Sequence, residues 1–171
     1  MKRYYLLITL IVTASIGLTS CKKEDFELLN DEEIRTYLDS KGLTAEKTGS
    51  GLYYIIDKPG AGENPDIRST VTVHYHGYYT DGEVFQRMSQ RLLHGYYTDG
   101  EVFDSSVDRG KPSEFPLRNV IEGWQEGIPL FKRGGKGVLL IPSHLAYGAS
   151  PPAGIRDNAV LVFDIELFDF K

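Results

Sequence analysis

The chain is short of several residues and motifs on which common chemistries depend. It has one cysteine among its 171 residues, so no intramolecular disulfide can form. It contains no phosphate-binding or dinucleotide-binding glycine motif and no Gly-x-Ser-x-Gly sequence, so nothing indicates a nucleotide enzyme or a serine hydrolase of that type. Basic residues are also too few to neutralise a row of phosphates. With 19 Lys and Arg against 24 Asp and Glu, the formal charge is −5, which argues against nucleic acid as a partner.

The single cysteine follows a signal-like N-terminus. Lys2 and Arg3 precede an apolar run from Leu6 to Leu18, which is too short to span a bilayer comfortably. The small residues before Cys21 resemble a bacterial lipobox, and a simple secretory signal followed by an incidental thiol is the alternative. We expect removal of residues 1–20 and attachment of lipid, including palmitate, at Cys21. A lipidated cysteine cannot serve as a catalytic thiol.

This interpretation has consequences for location. Removal of the signal also removes Lys2 and Arg3, so the formal charge moves from −5 to −7. Such a protein has no electrostatic attraction to anionic lipids, and the acyl chains alone would hold it at the membrane. We expect a lipid-anchored protein of the cell envelope, at the outer membrane, facing the periplasm or the exterior.

Residues 21–47 are interpreted as a tether that contains a short helix, and residues 48–171 as one folded domain. Asn30 can cap the helix, with Glu33 completing a capping box, and Gly42 can end it. The helix has one apolar stripe, suited to packing on the domain, which consists of Ile34, Tyr37 and Leu38.

The domain itself combines strands with one helix. The segment VIEGWQEGIPLF, beginning at Val120, is typical of an amphipathic helix, with Val120, Ile121, Trp124 and Ile128 on one side. Short runs of β-branched and aromatic residues predict strands at Leu52–Ile56, Val71–Tyr75, Gly137–Ser143 and Ala159–Phe170. The sequence therefore predicts the α+β class.

Few residues offer chemistry on their own. His74 and His76 share one strand face, but nothing nearby supplies a clear third metal ligand, so ordinary half-exposed histidines are favoured and no metal site is predicted. Asp104 and Arg109 alone would form a surface ion pair. Aromatic side chains from separate segments could point the same way, although composition alone favours an ordinary core.

Five segments in order resemble FKBP-type peptidyl-prolyl cis-trans isomerases. They are VTVHYHG, FDSS, VIEGWQEGI, LLIPSHLAYG and AVLVFDIEL, and the resemblance covers about Thr48 to Phe170. It implies a curved antiparallel β-sheet wrapped around one helix, with an apolar pocket between them. It also implies rotation of X-Pro bonds in exported proteins, no cofactor, and inhibition by macrolides. The lipobox and acidic tether add a likeness to lipid-anchored isomerases of Bacteroidetes-like bacteria.

The resemblance also implies the roles of the site residues. The catalytic set is Tyr75, Phe103, Asp104, Tyr147 and Phe163. The substrate-binding set is Phe115, Val120, Ile121, Trp124, Ile155 and Arg109. Trp124 would be the pocket floor, and the Ile121 N–H and the Tyr147 hydroxyl would hold substrate carbonyls. Asp104 would be tied to Tyr75 and Arg109.

The chain departs from the family pattern in three places. Ser113 stands where an aromatic residue is common, and Arg156 stands where a proline follows the isoleucine, which together put substrate preference in doubt. The decapeptide HGYYTDGEVF occurs twice, at His76–Phe85 and His94–Phe103, whereas the family has one copy. Removing either 76–93 or 86–103 restores the family's hairpin, so eighteen residues are extra.

The duplication permits two layouts. The simpler one pairs the strand from Val71 with Glu101–Ser105 and leaves Thr80–Gly100 as a protruding loop or extra hairpin. The other pairs the strand with the first copy, so that Phe85 replaces Phe103 in the pocket. Two further functions are left open beside the isomerase. One is a binding module or holdase chaperone that uses the pocket without turnover, and the other is a surface lipoprotein for which the domain is only a scaffold.

Overall fold

The computed structural model describes residues 21–80 and 101–171. These residues form two α-helices and seven β-strands, which confirms the predicted α+β class. The helices are α1 (Cys21–Lys41) and α2 (Glu122–Gly127). The strands are β1 (Glu46–Lys47), β2 (Tyr53–Lys58), β3 (Thr70–Tyr79), β4 (Val102–Ser105), β5 (Ser113–Pro116), β6 (Gly135–Ile141) and β7 (Leu161–Phe170). No helix in the described part of the chain is long and apolar enough to cross a membrane.

The strands form one antiparallel sheet in the order β1-β2-β6-β7-β3-β4, and β5 also pairs with β3. Strand β3 is long enough to use two partners on the same edge. Its first half pairs with β5 from Thr70 to Val73, and its second half pairs with β4 from His76 to Tyr78. Its other edge pairs with β7 along almost its whole length. Strand β3 is therefore central to the sheet and carries neighbours from three parts of the chain.

One face of the sheet packs against α2. Side chains alternate along β3, so that Val71, Val73 and Tyr75 are buried while the residues between them are half-buried. Two glycines let α2 lie close to β6. A Cβ atom on Gly123 would come within 2.4 Å of Ile141, and one on Gly127 would come within 2.5 Å of Leu139. This close packing fixes the height of Trp124 above the sheet.

The opposite face of the sheet is covered by α1. The predicted stripe of Ile34, Tyr37 and Leu38 is buried, and it packs against a second apolar cluster of Tyr53, Tyr78, Val138, Leu140, Val160 and Val162. Burial of an aliphatic side chain such as Ile34 contributes about 1.5–3 kcal/mol. The helix before the domain is thus part of its packed structure, and the sheet lies between two helices.

The helix α1 differs from its sequence prediction at its start. It is helical from Cys21, the first described residue, instead of from Asn30, so the polar residues before Asn30 that were expected to form a tether are helical as well. The sequence prediction was wrong because the first part of α1 carries mostly charged residues and shows no apolar stripe. Asn30 lies within the helix, is buried, and bonds to groups far along the chain instead of capping. Gly42 ends the helix at a φ of +63°, as predicted.

The other boundaries differ by a few residues. The predicted helix from Val120 is shorter, because Ile121 is extended at ψ 151° and α2 starts at Glu122. After Gly127 the chain tightens into a 3₁₀ turn at Ile128–Leu130, which contains a proline. Strand β6 ends at Ile141, and the next residues form a 3₁₀ turn at Ser143–Leu145.

The structure has the strand pairing of the first of the two layouts for the duplication, and residues 81–100 of the loop which that layout expects lie outside the described residues. His76 pairs with Ser105 and Gly77 with Asp104, and the Tyr79 N–H donates to the Glu101 carbonyl at 3.2 Å. The second copy therefore supplies β4. Phe85, which the other layout would place in the pocket, lies outside the described residues.

Candidate active site

A cleft of about 490 Å³ opens between α2 and the sheet. Its walls come from β3, β4, β5, β7, the start of α2 and the loop between β6 and β7. The lining residues are Tyr75, Phe103, Asp104, Phe115, Asn119, Val120, Ile121, Trp124, Tyr147, Ile155 and Phe163. The structure thus brings together ten of the eleven site residues predicted from sequence, and it adds Asn119. Arg109, the eleventh, lies beside the cleft and bonds to Tyr75 and Asp104.

Trp124 forms the inner end of the cleft. Its ring meets those of Tyr75 at 5.1 Å and Phe163 at 5.0 Å, both edge to face, and it lies 5.4 Å from Phe115. Such edge-to-face pairs fix ring orientation because the positive edge of one ring meets the negative face of the next. Among the described residues, no group accepts a hydrogen bond from the buried Trp124 Nε1. The floor of the cleft is therefore an ordered set of aromatic rings, and its one polar atom is the Nε1 of Trp124.

Phe103 enters the cleft because its neighbour on β3 is a glycine. A Cβ atom on Gly77 would lie 2.8 Å from both Phe103 and Phe163, too close for either ring to keep its place. With glycine there, the rings of Phe103 and Phe163 pack edge to face at 5.4 Å, and Tyr79 lies 5.1 Å from Phe103. Gly77 is a site residue that sequence reasoning missed, although its place between His76 and Tyr78 in an otherwise β-forming run was a signal.

One edge of the cleft is polar. The Tyr75 hydroxyl donates to Oδ2 of Asp104 at 2.5 Å, and the guanidinium of Arg109 donates to the other Asp104 oxygen and, at 2.8 Å, to the Tyr75 oxygen. Arg109 also donates to the Ser113 hydroxyl at 3.3 Å. The serine at a position where the family often has an aromatic residue therefore accepts a hydrogen bond from this network.

The network determines the charge state of Asp104. Burial acts to raise the pKa of this carboxyl, but hydrogen bonds from Tyr75 and Arg109 outweigh it and lower the pKa below its usual value. Burial, followed by the hydrogen bond to Asp104, raises the pKa of Tyr75. Asp104 is thus a carboxylate at neutral pH and Tyr75 a neutral phenol, so the edge carries a fixed pattern of donors and acceptors.

Tyr147 and Ile155 reach the cleft from the loop between β6 and β7. The Tyr147 side chain is 41% exposed, so its hydroxyl is accessible to a ligand. Its pKa is raised by burial and by the charge of Asp104. We name the segment from Ser143 to Asn158 the flap, because it carries these two residues over the cleft.

Arg156 replaces the family's proline in the flap and makes contacts that proline could not. Its backbone N–H donates to the Tyr79 hydroxyl at 3.1 Å. Its guanidinium lies over the Tyr79 ring at 4.2 Å and pairs with Glu101 at 2.6 Å. The flap is thereby tied to the last residue of β3 and to the residue that precedes β4.

Asn119 was missed because the helix was predicted to begin at the next residue. It lies in a 3₁₀ turn, Leu117–Asn119, which precedes α2 and directs the chain past the cleft. His74 and His76 lie away from the cleft, and their Nδ1 atoms each lie 3.0 Å from a serine hydroxyl, of Ser106 and Ser105 respectively. Within residues 21–80 and 101–171, no three His, Cys, Asp or Glu side chains are close enough to hold a metal ion.

The cleft is suited to a ligand with an apolar ring and nearby carbonyl groups. Its floor and walls are aromatic, which favours the burial of an apolar ring away from water. Its polar groups lie at one edge and on the flap, where they can bond to carbonyl groups beside that ring. No activated nucleophile is needed for chemistry that rotates a bond without breaking it.

Known proteins share this sequence and architecture. A family profile described as FKBP-type peptidyl-prolyl cis-trans isomerase matches residues 90–168. The FKBP-type peptidyl-prolyl cis-trans isomerase FkpA of Aeromonas hydrophila is 40% identical over 152 residues, which are 88% of this chain and 50% of that protein. FkpA of Escherichia coli strain K12 is 38% identical over 147 residues, 86% of this chain and 47% of that protein. The chain spans about half the length of these curated relatives.

Solved structures give the same result. The crystal structure of FkpA from Escherichia coli superposes with a TM-score of 0.68 at 37% identity, covering 86% of this chain and 60% of that one. The crystal structure of AtFKBP13 superposes with a TM-score of 0.60 at 30% identity, covering 75% of this chain and 99% of that one.

Proposed function

This chain belongs to the FKBP-type peptidyl-prolyl cis-trans isomerase family, and from that premise we propose that its cleft catalyses rotation about X-Pro bonds. The substrates would be proline-containing segments of exported proteins that are folding. Uncatalysed isomerisation takes tens to hundreds of seconds, slow enough to limit folding. The proposal assigns the eleven residues that line the cleft, together with Arg109, to this one reaction.

The physical basis is the difference between a planar and a twisted amide. Resonance holds the prolyl amide planar with a barrier of about 18–20 kcal/mol. Twisting the bond removes the resonance and its charge separation. The twisted amide therefore loses less solvation free energy than the planar amide when it leaves water. An aromatic cleft therefore binds the twisted amide in preference, and each 1.4 kcal/mol of preference gives about a tenfold increase in rate.

The polar groups would orient the substrate around the rotating bond. In this proposal the Tyr147 hydroxyl and the Ile121 N–H donate to substrate carbonyls on either side of the proline. The carboxylate of Asp104, held by Tyr75 and Arg109, sets the electrostatic field at the cleft edge. The reaction needs no cofactor, because no bond is broken and no electron is moved.

The observation that carries the proposal is the Tyr75–Asp104–Arg109 network at the edge of an aromatic cleft. A holdase that only traps apolar segments would have no use for a carboxylate at the rim of the cleft that two donors, Tyr75 and Arg109, hold in one orientation. The two functions are separated by measuring turnover of a proline tetrapeptide together with suppression of aggregation of a denatured protein. An isomerase accelerates isomerisation of the tetrapeptide, whereas a holdase only suppresses aggregation of the denatured protein.

Macrolides that bind the family would occupy the same cleft and compete with the peptide. Competition between a macrolide and the tetrapeptide would support a single site. A macrolide that bound without blocking turnover would contradict it.

We further propose that Cys21 carries lipid and anchors the protein in the cell envelope, at the outer membrane, facing the periplasm or the exterior. The support is the signal-like sequence before Cys21 and the absence of a basic excess that could hold the protein on anionic lipid. Helix α1, which includes Cys21, would lead directly from the anchor to the sheet. The catalytic domain would then work close to the membrane surface.

A further inference from the structure

Asn30 on helix α1 bonds to both ends of the flap. Its Oδ1 accepts a hydrogen bond from the Ser143 N–H at 2.8 Å, and its Nδ2 donates to the Asn158 carbonyl at 3.2 Å. These partners lie 113 and 128 residues further along the chain. The side chain is only 3% exposed, so these bonds are shielded from water. One amide group thus joins the point where the flap begins to the point where it ends.

Inside the flap, backbone bonds continue from the same two residues. The Gly148 N–H donates to the Ser143 carbonyl at 2.9 Å, and the Asn158 N–H donates to the Gly148 carbonyl at 2.8 Å. Asn158 has a φ of +53°, a conformation that few residues other than glycine adopt. The closed neck of the flap is therefore made by Ser143, Gly148 and Asn158, and Asn30 bridges its two ends.

The residues held by this neck are the ones that reach the cleft. Tyr147 directly precedes Gly148, and Ile155 lies three residues before Asn158. A shift of the neck would move the Tyr147 hydroxyl relative to Trp124 and Asp104. We infer that Asn30 is a positioning residue, which sets the place of the flap, and through it of Tyr147, over the cleft.

Helix α1 gives Asn30 a fixed base. Ile34 lies one turn further along the same face of the helix and is completely buried against the sheet. The Tyr37 hydroxyl lies 3.4 Å from that of Tyr78 on β3. The sheet, which carries Tyr75 and Phe163, therefore fixes the position of α1. Through Asn30, α1 in turn fixes the position of the flap, which carries Tyr147.

The chemistry of the side chain suits this position. The neck presents an N–H donor at one end and a carbonyl acceptor at the other, and a single amide offers one acceptor and two donors. An alanine would leave both backbone groups unpaired, whereas an aspartate would keep only the acceptor for Ser143. The two substitutions therefore act on different ends of the flap.

The test compares Asn30→Ala and Asn30→Asp with Ser40→Ala, which removes a hydroxyl that bonds within the same helix, to the Tyr37 carbonyl at 2.7 Å, and not to the flap. Residue-resolved amide hydrogen exchange is measured for Ser143, Gly148 and Asn158, and kcat and KM are measured with a proline tetrapeptide. In Asn30→Ala we expect exchange at the neck to become about tenfold faster. We expect kcat/KM to fall about tenfold, mainly through kcat, because Tyr147 is displaced from its productive position.

Asn30→Asp should keep the Ser143 amide protected while exchange at Asn158 and Gly148 rises, and this variant decides the question if the alanine variant does not fold. The inference is overturned if the neck amides exchange in the Asn30 variants as in the wild type, or if Ser40→Ala has the same effect on the flap and on kcat. The kinetic part rests on the proposed function. A wild-type protein without turnover would refute that function, while the exchange data would still decide whether Asn30 positions the flap.

Discussion

The hydroxyl of Tyr75 donates a 2.5 Å hydrogen bond to Asp104, although the whole duplicated segment lies between them in the chain. Tyr75 precedes the first copy of HGYYTDGEVF, and Asp104 follows the second. The bond therefore joins the outer ends of the duplication across β3 and β4. It brings together at the cleft two residues that the duplication separates in the chain.

The first prediction concerns the polar groups of the cleft. Asp104→Ala and Tyr147→Phe should each lower kcat/KM for a proline tetrapeptide about tenfold or more, since each removes about 1–3 kcal/mol of interaction with the rotating amide or its network. Tyr54→Phe is the matched control, because the Tyr54 hydroxyl bonds to Glu46 at the surface. Unchanged turnover in both cleft variants, with the fold intact by circular dichroism, would refute the assignment of this cleft.

The second prediction concerns the duplication. Deleting residues 76–93 leaves the sequence VTVHYHGYYTDGEVFDSS and returns the connection between β3 and β4 to a short turn. Shortening it from twenty-one residues to about three removes roughly 1.7 kcal/mol of closure entropy, so the melting temperature should rise while turnover is kept. A deletion variant that is unfolded or inactive would show instead that the extra segment is an integral part of the domain.

Most of the cleft could be predicted from sequence, because the alternation of side chains along a strand and the resemblance to a known family indicate the same residues. Strand parity places Tyr75 on the face opposite His74 and His76, and the family motifs fix which residues follow at Trp124 and Tyr147. The choice between Phe85 and Phe103 could not be made in this way, because the two copies are identical. It depends on the residue after each copy, and only Phe103 is followed by an aspartate that can bond to Tyr75.

The structure of α1 shows where local rules fail. Asn30 followed by Glu33 has the form of a capping box, and a local reading therefore starts the helix there. In the structure the helix continues through Asn30, and the Asn30 side chain bonds to Ser143 and Asn158 on the flap instead of capping the helix. Contacts over such sequence distances leave no periodic signal, so the link between α1 and the flap emerges only from the fold.

The third prediction concerns a buried carboxyl beneath α1. Burial raises the pKa of Asp164 to about 6, against the effect of a hydrogen bond from Tyr78 and together with that of the charge of Asp57. Because this folded-state pKa lies above the ordinary value of 3.8, the stabilisation is complete below about pH 4 and is lost as the pH rises through 6.

Asp164→Asn should therefore be more stable than the wild type at pH 8 by about 3 kcal/mol, and the difference should shrink towards pH 4. Urea unfolding at several pH values measures this. Thr36→Ala, which changes an exposed residue of α1 that has no titratable group, serves as the control and should keep the wild-type pH profile. A constant difference between Asp164→Asn and the wild type across this range would contradict the prediction.

The fourth prediction concerns the anchor. Cys21→Ser should abolish labelling by a fatty-acid probe and move the protein from the membrane fraction to the soluble fraction. The expected cause is the loss of the thiol that carries lipid, since the charge of −7 on the processed chain provides no other attraction to anionic membranes. If the serine variant still takes up the probe, the lipobox interpretation is wrong.

The central claim is that the cleft rotates prolyl bonds, and two-dimensional exchange NMR observes that rotation itself. A proline tetrapeptide at equilibrium gives separate cis and trans signals, which exchange too slowly without a catalyst to produce cross-peaks. With a catalytic amount of the chain from Lys22 onward, we predict cis-trans cross-peaks that weaken in Asp104→Ala and disappear when a macrolide fills the cleft. A folded wild-type protein that binds the peptide and gives no exchange cross-peaks would contradict the claim.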